Sequence, residues 1–177
     1  LEVGTFRGGT TMLWAHFVEP YNGNVFCSDL RFDWGDFTAG YKGKDNTYFR
    51  REVYNDTPYE KFVTEIQGDS HDPNQIKKIK EKVDLVDLLF IDGDHSYLGV
   101  KQDFENFYEL VKIGGFIILH DIIDSEYHRA NGCYVEQFWQ EIKDAYQSYE
   151  FIDSNEYPAC PSRSMGIGVI QKTKKEL

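Results

Sequence analysis

Asp92, Asp94 and His95 follow directly on the apolar run 88–91, and His120 and Asp121 follow in the same way on the apolar run 116–119. Carboxylates and imidazoles are ligands for divalent cations, and imidazole carries protons near neutral pH. Strands that each end in such groups predict one polar site that binds a metal or moves a proton. A second kind of chemistry stands at the start of the chain. Gly4, Gly8 and Gly9 predict a turn whose backbone N–H groups approach a ligand closely ahead of a helix N-terminus. The spacing is neither that of a dinucleotide fingerprint nor that of a phosphate-gripping loop, because no Lys-Ser or Lys-Thr follows the glycines. Glu2, just before the turn, would repel pyrophosphate and favour a cationic or zwitterionic ligand.

These groups need elements to position them. Residues 85–91 read as a buried parallel strand, 1–3 as the end of another and 24–28 as a third that ends at Asp29. Between them, 10–18 reads as a helix stopped near Pro20. Residues 57–62 form a short helix and 63–67 a strand ending in Gly68-Asp69-Ser70-His71. Asp72-Pro73 caps a helix over 74–82. A helix over 97–111 turns Val100, Phe104, Phe107, Tyr108 and Val111 inward, with Asp94 as its cap. A helix over 134–146 follows, then strands near 149–152 and 167–171 as an antiparallel edge pair. The fold class is α/β: a Rossmann-like, doubly wound, mostly parallel sheet with an antiparallel C-terminal edge hairpin. In such sheets ligands bind outside the carboxyl ends of the strands, where all of the groups above fall.

The 177 residues make one domain over 1–177, with 31–57 as a long aromatic insertion or lid loop. A net charge of −11 speaks against nucleic acid and anionic membranes as partners. No apolar run is long enough to span a bilayer. Three cysteines, an odd number without framework spacing, point to a reducing compartment, the cytoplasm. The chain opens at Leu1 inside a strand, so helices ahead of it are expected to be missing.

Residues 1–11, Asp29, 68–70, 91–97 and Gly114-Gly115 through His120-Asp121, in that order, resemble the class I S-adenosylmethionine-dependent methyltransferases. Within that class they resemble the metal-dependent small-molecule O-methyltransferases of the catechol, macrolide-sugar and cephalosporin-pathway types. The resemblance implies that Glu2 and Gly4 face the methionine portion of S-adenosylmethionine, with Thr10 nearby. It implies that Asp29 holds the ribose and that Asp69 and Ser70 frame the adenine. Thr5, Gly8, Leu30 and Asp92 complete the implied cofactor-binding set. It further implies that Asp92, His120 and Asp121 hold a divalent metal (Mg or Mn) and that His95 is the catalytic base. The acceptor is a hydroxyl of a small molecule or sugar, covered by loops 31–57 and 122–134, and the reading leaves room for a homo-oligomer.

One position departs from the family pattern, which has an acid where His120 stands. Imidazole is a poor ligand for magnesium and a better one for manganese, iron or zinc. His120 is therefore a metal ligand, a second base or a buried structural histidine. His16, His71 and His128 read as surface or loop residues, with His71 in reach of an adenine ring. Two other readings stay open: an NAD(P)-dependent oxidoreductase on the same architecture, and a non-catalytic cofactor-fold module of a larger protein.

Overall fold

The alternation of strand and helix signals folds as successive parallel crossovers. The computed structural model describes residues 1–32, 53–153 and 165–173. Strand β1 (Glu2–Val3) lies between β2 (Val25–Asp29) and β4 (Val86–Ile91), with Glu2 opposite Cys27 on one side and Phe90 on the other. Beyond β2 comes β3 (Val63–Gln67), and beyond β4 comes β5 (Val111–His120), all parallel. Two later strands, β6 (Gln147–Phe151) and β7 (Ile167–Gln171), close the far edge, with β7 antiparallel to both β5 and β6. The order is β3-β2-β1-β4-β5-β7-β6. The connections run outward in opposite directions from β1 and β4, which opens a crevice at their carboxyl ends.

Helix α1 (Gly9–Val18) packs beside β2, α3 (Tyr97–Phe107) beside β4 and α5 (Val135–Ile142) beside β5. Helix α2 (Pro73–Lys82) starts at Asp72, whose Oδ1 accepts from the Asn74 N–H at 2.7 Å. The core joins Leu89, Ile91, Ile117 and Leu119 of the sheet to Phe104 and Phe107 of α3 and Phe138 and Trp139 of α5. Among the described residues no helix is long and apolar enough to cross a membrane.

Several boundaries differ from the sequence reading. Helix α3 stops at Phe107, a 3-10 turn follows over Tyr108–Leu110, and Val111 opens β5 rather than closing the helix. The cause is Lys172, a buried cation whose Nζ donates to the carbonyls of Tyr108 (2.9 Å) and Val111 (2.8 Å). It satisfies carbonyl groups that a longer helix would have used internally. Gly114 and Gly115 therefore lie inside β5, where Gly114 takes φ +87° near a register shift opposite Val86 and Leu88. The cap of α3 is Ser96, whose Oγ accepts from the Gly99 N–H, while Asp94 accepts from the Ser96 N–H one step earlier. Residues 57–62 hold only a 3-10 turn over Glu60–Phe62, and α5 gives way to another over Lys143–Ala145.

Gly168 of β7 lies flat under Trp139: a Cβ there would sit 2.8 Å from two carbons of the indole. Gly168→Ala should lower the free energy of unfolding by about 1–3 kcal/mol through overpacking. Urea denaturation that leaves the midpoint unchanged would contradict this packing of α5 on the sheet.

Candidate functional site

The carboxyl ends of β1, β2, β3, β4 and β5 open onto one cavity of about 660 Å3, lined by Gly4, Asp29, Asp69, Asp92, His95 and His120 among others. Leu30 and Ser70 also line it. Glu2, Thr5, Gly8, Thr10 and Asp121 lie outside this lining, each for a reason visible in the local structure.

The glycine turn is held from two sides. Gly4 N–H donates to the Ser28 carbonyl at 2.8 Å, and Asp29 Oδ2 accepts from the backbone N–H groups of Thr5 (2.7 Å) and Phe6 (2.8 Å). Asp29 thus ties the turn to β2 with one oxygen, and its Oδ1 accepts a longer contact from the Arg31 N–H at 3.3 Å. Thr5 is buried against this contact, and Gly8, at φ +73°, supplies the left-handed step into α1. Glu2 lies beneath the cavity floor, 1% exposed, and the Thr11 hydroxyl donates to its Oε2. The threonine that reaches Glu2 is therefore Thr11, one position after Thr10. Burial pushes the Glu2 carboxyl up to about 8 against the opposing Thr11 hydrogen bond.

At the other end of the cavity, acids and imidazoles interlock. His95 presents Nδ1 to Asp121 Oδ2 at 2.8 Å and Nε2 to Asp92 Oδ1 at 3.3 Å. His120 Nδ1 lies 3.1 Å from both Asp92 Oδ1 and Asp121 Oδ1. Adjacent strand residues ordinarily point to opposite faces. Here Asp121 takes φ +63°, a left-handed conformation that short polar side chains tolerate, and so turns back to meet His120. Behind it, His128 donates its Nδ1 proton to the Ile123 carbonyl at 2.7 Å and faces Asp121 Oδ1 through Nε2 at 3.5 Å.

The charges follow from these contacts. Hydrogen bonds to Asp121 and Asp92, with Cys133 adding, lift His95 to about 12. Burial opposes the charge on His120, but the carboxylates of Asp121 and Asp92 beside its ring outweigh it and lift the ring to about 10. Burial would raise Asp92 and Asp121, yet His120 and His95 hold both below the ordinary carboxylate value. A His95 near its unperturbed pKa, as the sequence suggested, is not what this arrangement gives: both of its nitrogens face carboxylates, so it is held as imidazolium.

Donor atoms of Asp92, His120 and Asp121 lie within 4.8 Å of one another. His120 Nδ1 and Asp121 Oδ1 are buried without an aligned hydrogen bond. The residues fit a divalent cation, and the mixed nitrogen and oxygen set suits manganese, iron or zinc better than magnesium.

Loop 122–134 does not line the cavity. It holds the short helix α4 (Glu126–Ala130), buries Ile122 and His128, and braces the site through the Tyr134 N–H, which donates to the His95 carbonyl at 2.8 Å. His128 is thus a buried neighbour of Asp121, and no pattern in the sequence marked it. Of loop 31–57, residues 33–52, with Trp34, Phe37 and Tyr41, lie outside the described residues. Its end is anchored where the Val53 N–H donates to the Arg7 carbonyl and the buried Tyr54 hydroxyl donates to Glu65. A second cavity, about 550 Å3, lies at the opposite ends of the strands among Leu1, Trp14, Phe17, Val25 and Val86.

A family model described as a methyltransferase domain matches residues 1–122. An uncharacterized protein of Sinorhizobium fredii, y4gI, is 27% identical over 149 residues, covering 80% of this chain and 14% of that protein. Uncharacterized protein R132 of Acanthamoeba polyphaga mimivirus is 49% identical over 39 residues, covering 22% of this chain and 18% of that protein. The chain thus spans less than a fifth of the length of these curated relatives. Among solved structures, an O-methyltransferase from Bacillus cereus in complex with SAH superposes with a TM-score of 0.64 at 18% identity, over 97% of this chain and 72% of that one. The MycE methyltransferase of the mycinamycin biosynthetic pathway, in complex with Mg and SAH, superposes with a TM-score of 0.58 at 16% identity, over 98% of this chain and 44% of that one. At these identities the likeness is one of fold.

Glu2 yields a prediction for the ligand-free protein. Its folded pKa is raised from 4.5 to about 8, so the stability it contributes is complete below 4.5 and lost as pH rises to about 8. His95 and His120 also lose stabilisation above their unfolded value, equally in wild type and variant. Glu2→Gln should therefore remove part of the fall in melting temperature between pH 5 and pH 8.5, by roughly 2–8 °C. Parallel pH profiles for the two proteins would show that Glu2 is ionised in the fold.

Proposed function

We propose, from the premise that this chain belongs to the methyltransferase domain family, that it moves a methyl group from S-adenosylmethionine to a hydroxyl of a small molecule or sugar with the help of a divalent cation. The observation that carries the reading is the juxtaposition at one sheet edge. The glycine turn, Asp29 and Asp69-Ser70 line the same cavity as Asp92, His95 and His120, and its volume suits a nucleoside-sized ligand. The family removes the nicotinamide alternative. SAH and Mg, bound in the structural relatives, support the choice of cofactor and cation.

In this reading Gly4 lets the ligand approach the backbone, Asp29 Oδ1 accepts from the ribose hydroxyls, and Asp69 and Ser70 border the base. Bound there, the cofactor would supply a methyl group on a sulfonium, and a cation on Asp92, His120 and Asp121 would lower the pKa of the acceptor hydroxyl and compete with His95 for the carboxylates. With those carboxylates engaged by a cation, His95 would give up one of its two ring protons to solvent, and the nitrogen so freed would stand where it could take the acceptor hydroxyl's proton. His128 packs behind Asp121, with its Nδ1 tied to the Ile123 carbonyl. Val3, Phe6 and Leu30 add apolar surface to the cavity wall. Most of the acceleration in such a displacement comes from alignment of nucleophile and methyl group.

Calorimetric titration of S-adenosylhomocysteine, with and without manganese, tests this. Binding should weaken in Asp29→Ala by about 1–3 kcal/mol, on a protein whose melting curve shows that it is still folded. Asp121→Asn should keep the nucleoside heat and lose the manganese heat. Absence of any nucleoside binding to the wild type would defeat the proposal, and a manganese heat untouched by Asp121→Asn would remove the metal from it.

A further inference from the structure

Cys133 plays no part in the chemistry above, yet it stands beside the groups that do. It is buried and in no disulfide. The end of α4 returns the chain to the site. Gly132 takes φ +73°, the Cys133 N–H donates to the His128 carbonyl at 2.9 Å, and the Tyr134 N–H donates to the His95 carbonyl at 2.8 Å. Backbone bonds thus pin Cys133 on both sides, one to α4 and one to the segment after β4. A buried cysteine that serves packing alone behaves as a small apolar group and is inert. This one shares its surroundings with an imidazole and a carboxylate: ligand atoms of His95, Asp121 and Cys133 lie within 4.8 Å of one another.

The three donors come from separate segments, after β4, after β5 and after α4. They are a different set from Asp92, His120 and Asp121, and Asp121 belongs to both. Its two oxygens divide between them: Oδ1 lies 3.1 Å from His120 Nδ1, and Oδ2 lies 2.8 Å from His95 Nδ1. A thiolate, an imidazole nitrogen and a carboxylate oxygen are ligand types that zinc takes in tetrahedral sites. At bond lengths of about 2.0–2.3 Å such ligands stand roughly 3–4 Å apart. Small side-chain rotations bring these three to that spacing. Magnesium, a hard ion that takes oxygen ligands, has no use for the sulfur. Access is from the cavity, because His95 lines it with 38% of its side chain exposed, whereas Asp121 and Cys133 are buried.

We infer that His95, Asp121 and Cys133 form a second cation site, selective for zinc or a similarly soft divalent ion, whose occupation withdraws the base from the methyl transfer. The effect on transfer rests on the methyltransferase reading of the cavity; the site itself does not. As the ion binds, the thiol proton and the ring proton on Nδ1 leave to solvent, and sulfur and Nδ1 become ligands. The proton on Nε2 stays, facing Asp92 Oδ1 at 3.3 Å. A ring bound to metal at one nitrogen and protonated at the other has no lone pair for an acceptor hydroxyl. A cation on Asp92, His120 and Asp121 releases a nitrogen of His95, and zinc beside Cys133 occupies it. The two ions therefore act in opposite directions on one residue.

The full chain without nucleoside tests the site, with cobalt as the spectroscopic stand-in for zinc. Titration of the wild type with cobalt should develop a sulfur-to-cobalt charge-transfer band in the near ultraviolet, and added zinc should abolish it by displacement. Cys133→Ser, with a melting curve showing that it is folded, should lose the band and bind zinc at least about tenfold more weakly. Its affinity for manganese should change by less than about twofold, since that ion gains little from sulfur. Nitrogen-15 histidine spectra should show that zinc removes the Nδ1 proton of His95 and leaves the Nε2 proton. A wild type without the sulfur band overturns the inference, as does a band undiminished in Cys133→Ser. Zinc that leaves His95 Nδ1 protonated overturns the withdrawal of the base. A sulfur band in a protein that gives no heat with S-adenosylhomocysteine overturns the cofactor reading, and the effect on transfer with it, but upholds the site.

Discussion

The site depends on how closely β1 approaches β4 at their carboxyl ends. Val3 carbonyl accepts from the Asp92 N–H at 2.8 Å, and at the next residue a Cβ would fall 2.1 Å from the Asp92 carbonyl oxygen. Only glycine fits there, and Gly4 takes φ +86°, which turns the chain out of the sheet at the reversal point of the strand order. Because the turn leaves the sheet there, Asp29 reaches the Thr5 and Phe6 N–H groups, and Asp92 stands at the lip of the same cavity as Asp29. Backbone contact at one residue places both halves of the site.

The second half is a closed electrostatic network. Asp92 and Asp121 face His95 and His120, with His128 behind Asp121, and each acid answers more than one imidazole. Removing one member of such a network leaves a partly buried charge uncompensated, which costs more than the pair contributes. A cation that enters therefore displaces protons as well as water. The two halves differ in kind: the glycine turn is held through its backbone N–H groups, bonded to the Ser28 carbonyl and the Asp29 carboxylate, whereas the acid and imidazole half is set by which charges are present.

Much of this was legible in the sequence. Apolar runs ending in Asp29, Asp92 and His120-Asp121 marked strand ends, and the parallel sheet follows from their alternation with helices. The antiparallel edge pair was also legible, since β7 alternates buried and half-buried residues. What was not legible depends on contacts distant in sequence. Lys172 decides where α3 ends, although it lies more than sixty residues from Tyr108 and Val111. The charge on His95 reflects two carboxylates, one of them on another strand, and no spacing rule reports that. His128 carried no periodic signal and is buried because Ser125 starts a short helix there.

Hydrogen–deuterium exchange with and without S-adenosylhomocysteine tests most directly whether these strand ends form one ligand site. Protection should rise together in peptides covering 3–6, 28–30, 68–71 and 92–95, with residues of the opposite cavity, such as Val25 and Val86, unchanged. Protection confined to that opposite cavity, or to one of the strand ends alone, would contradict a single site built at the reversal point of the sheet.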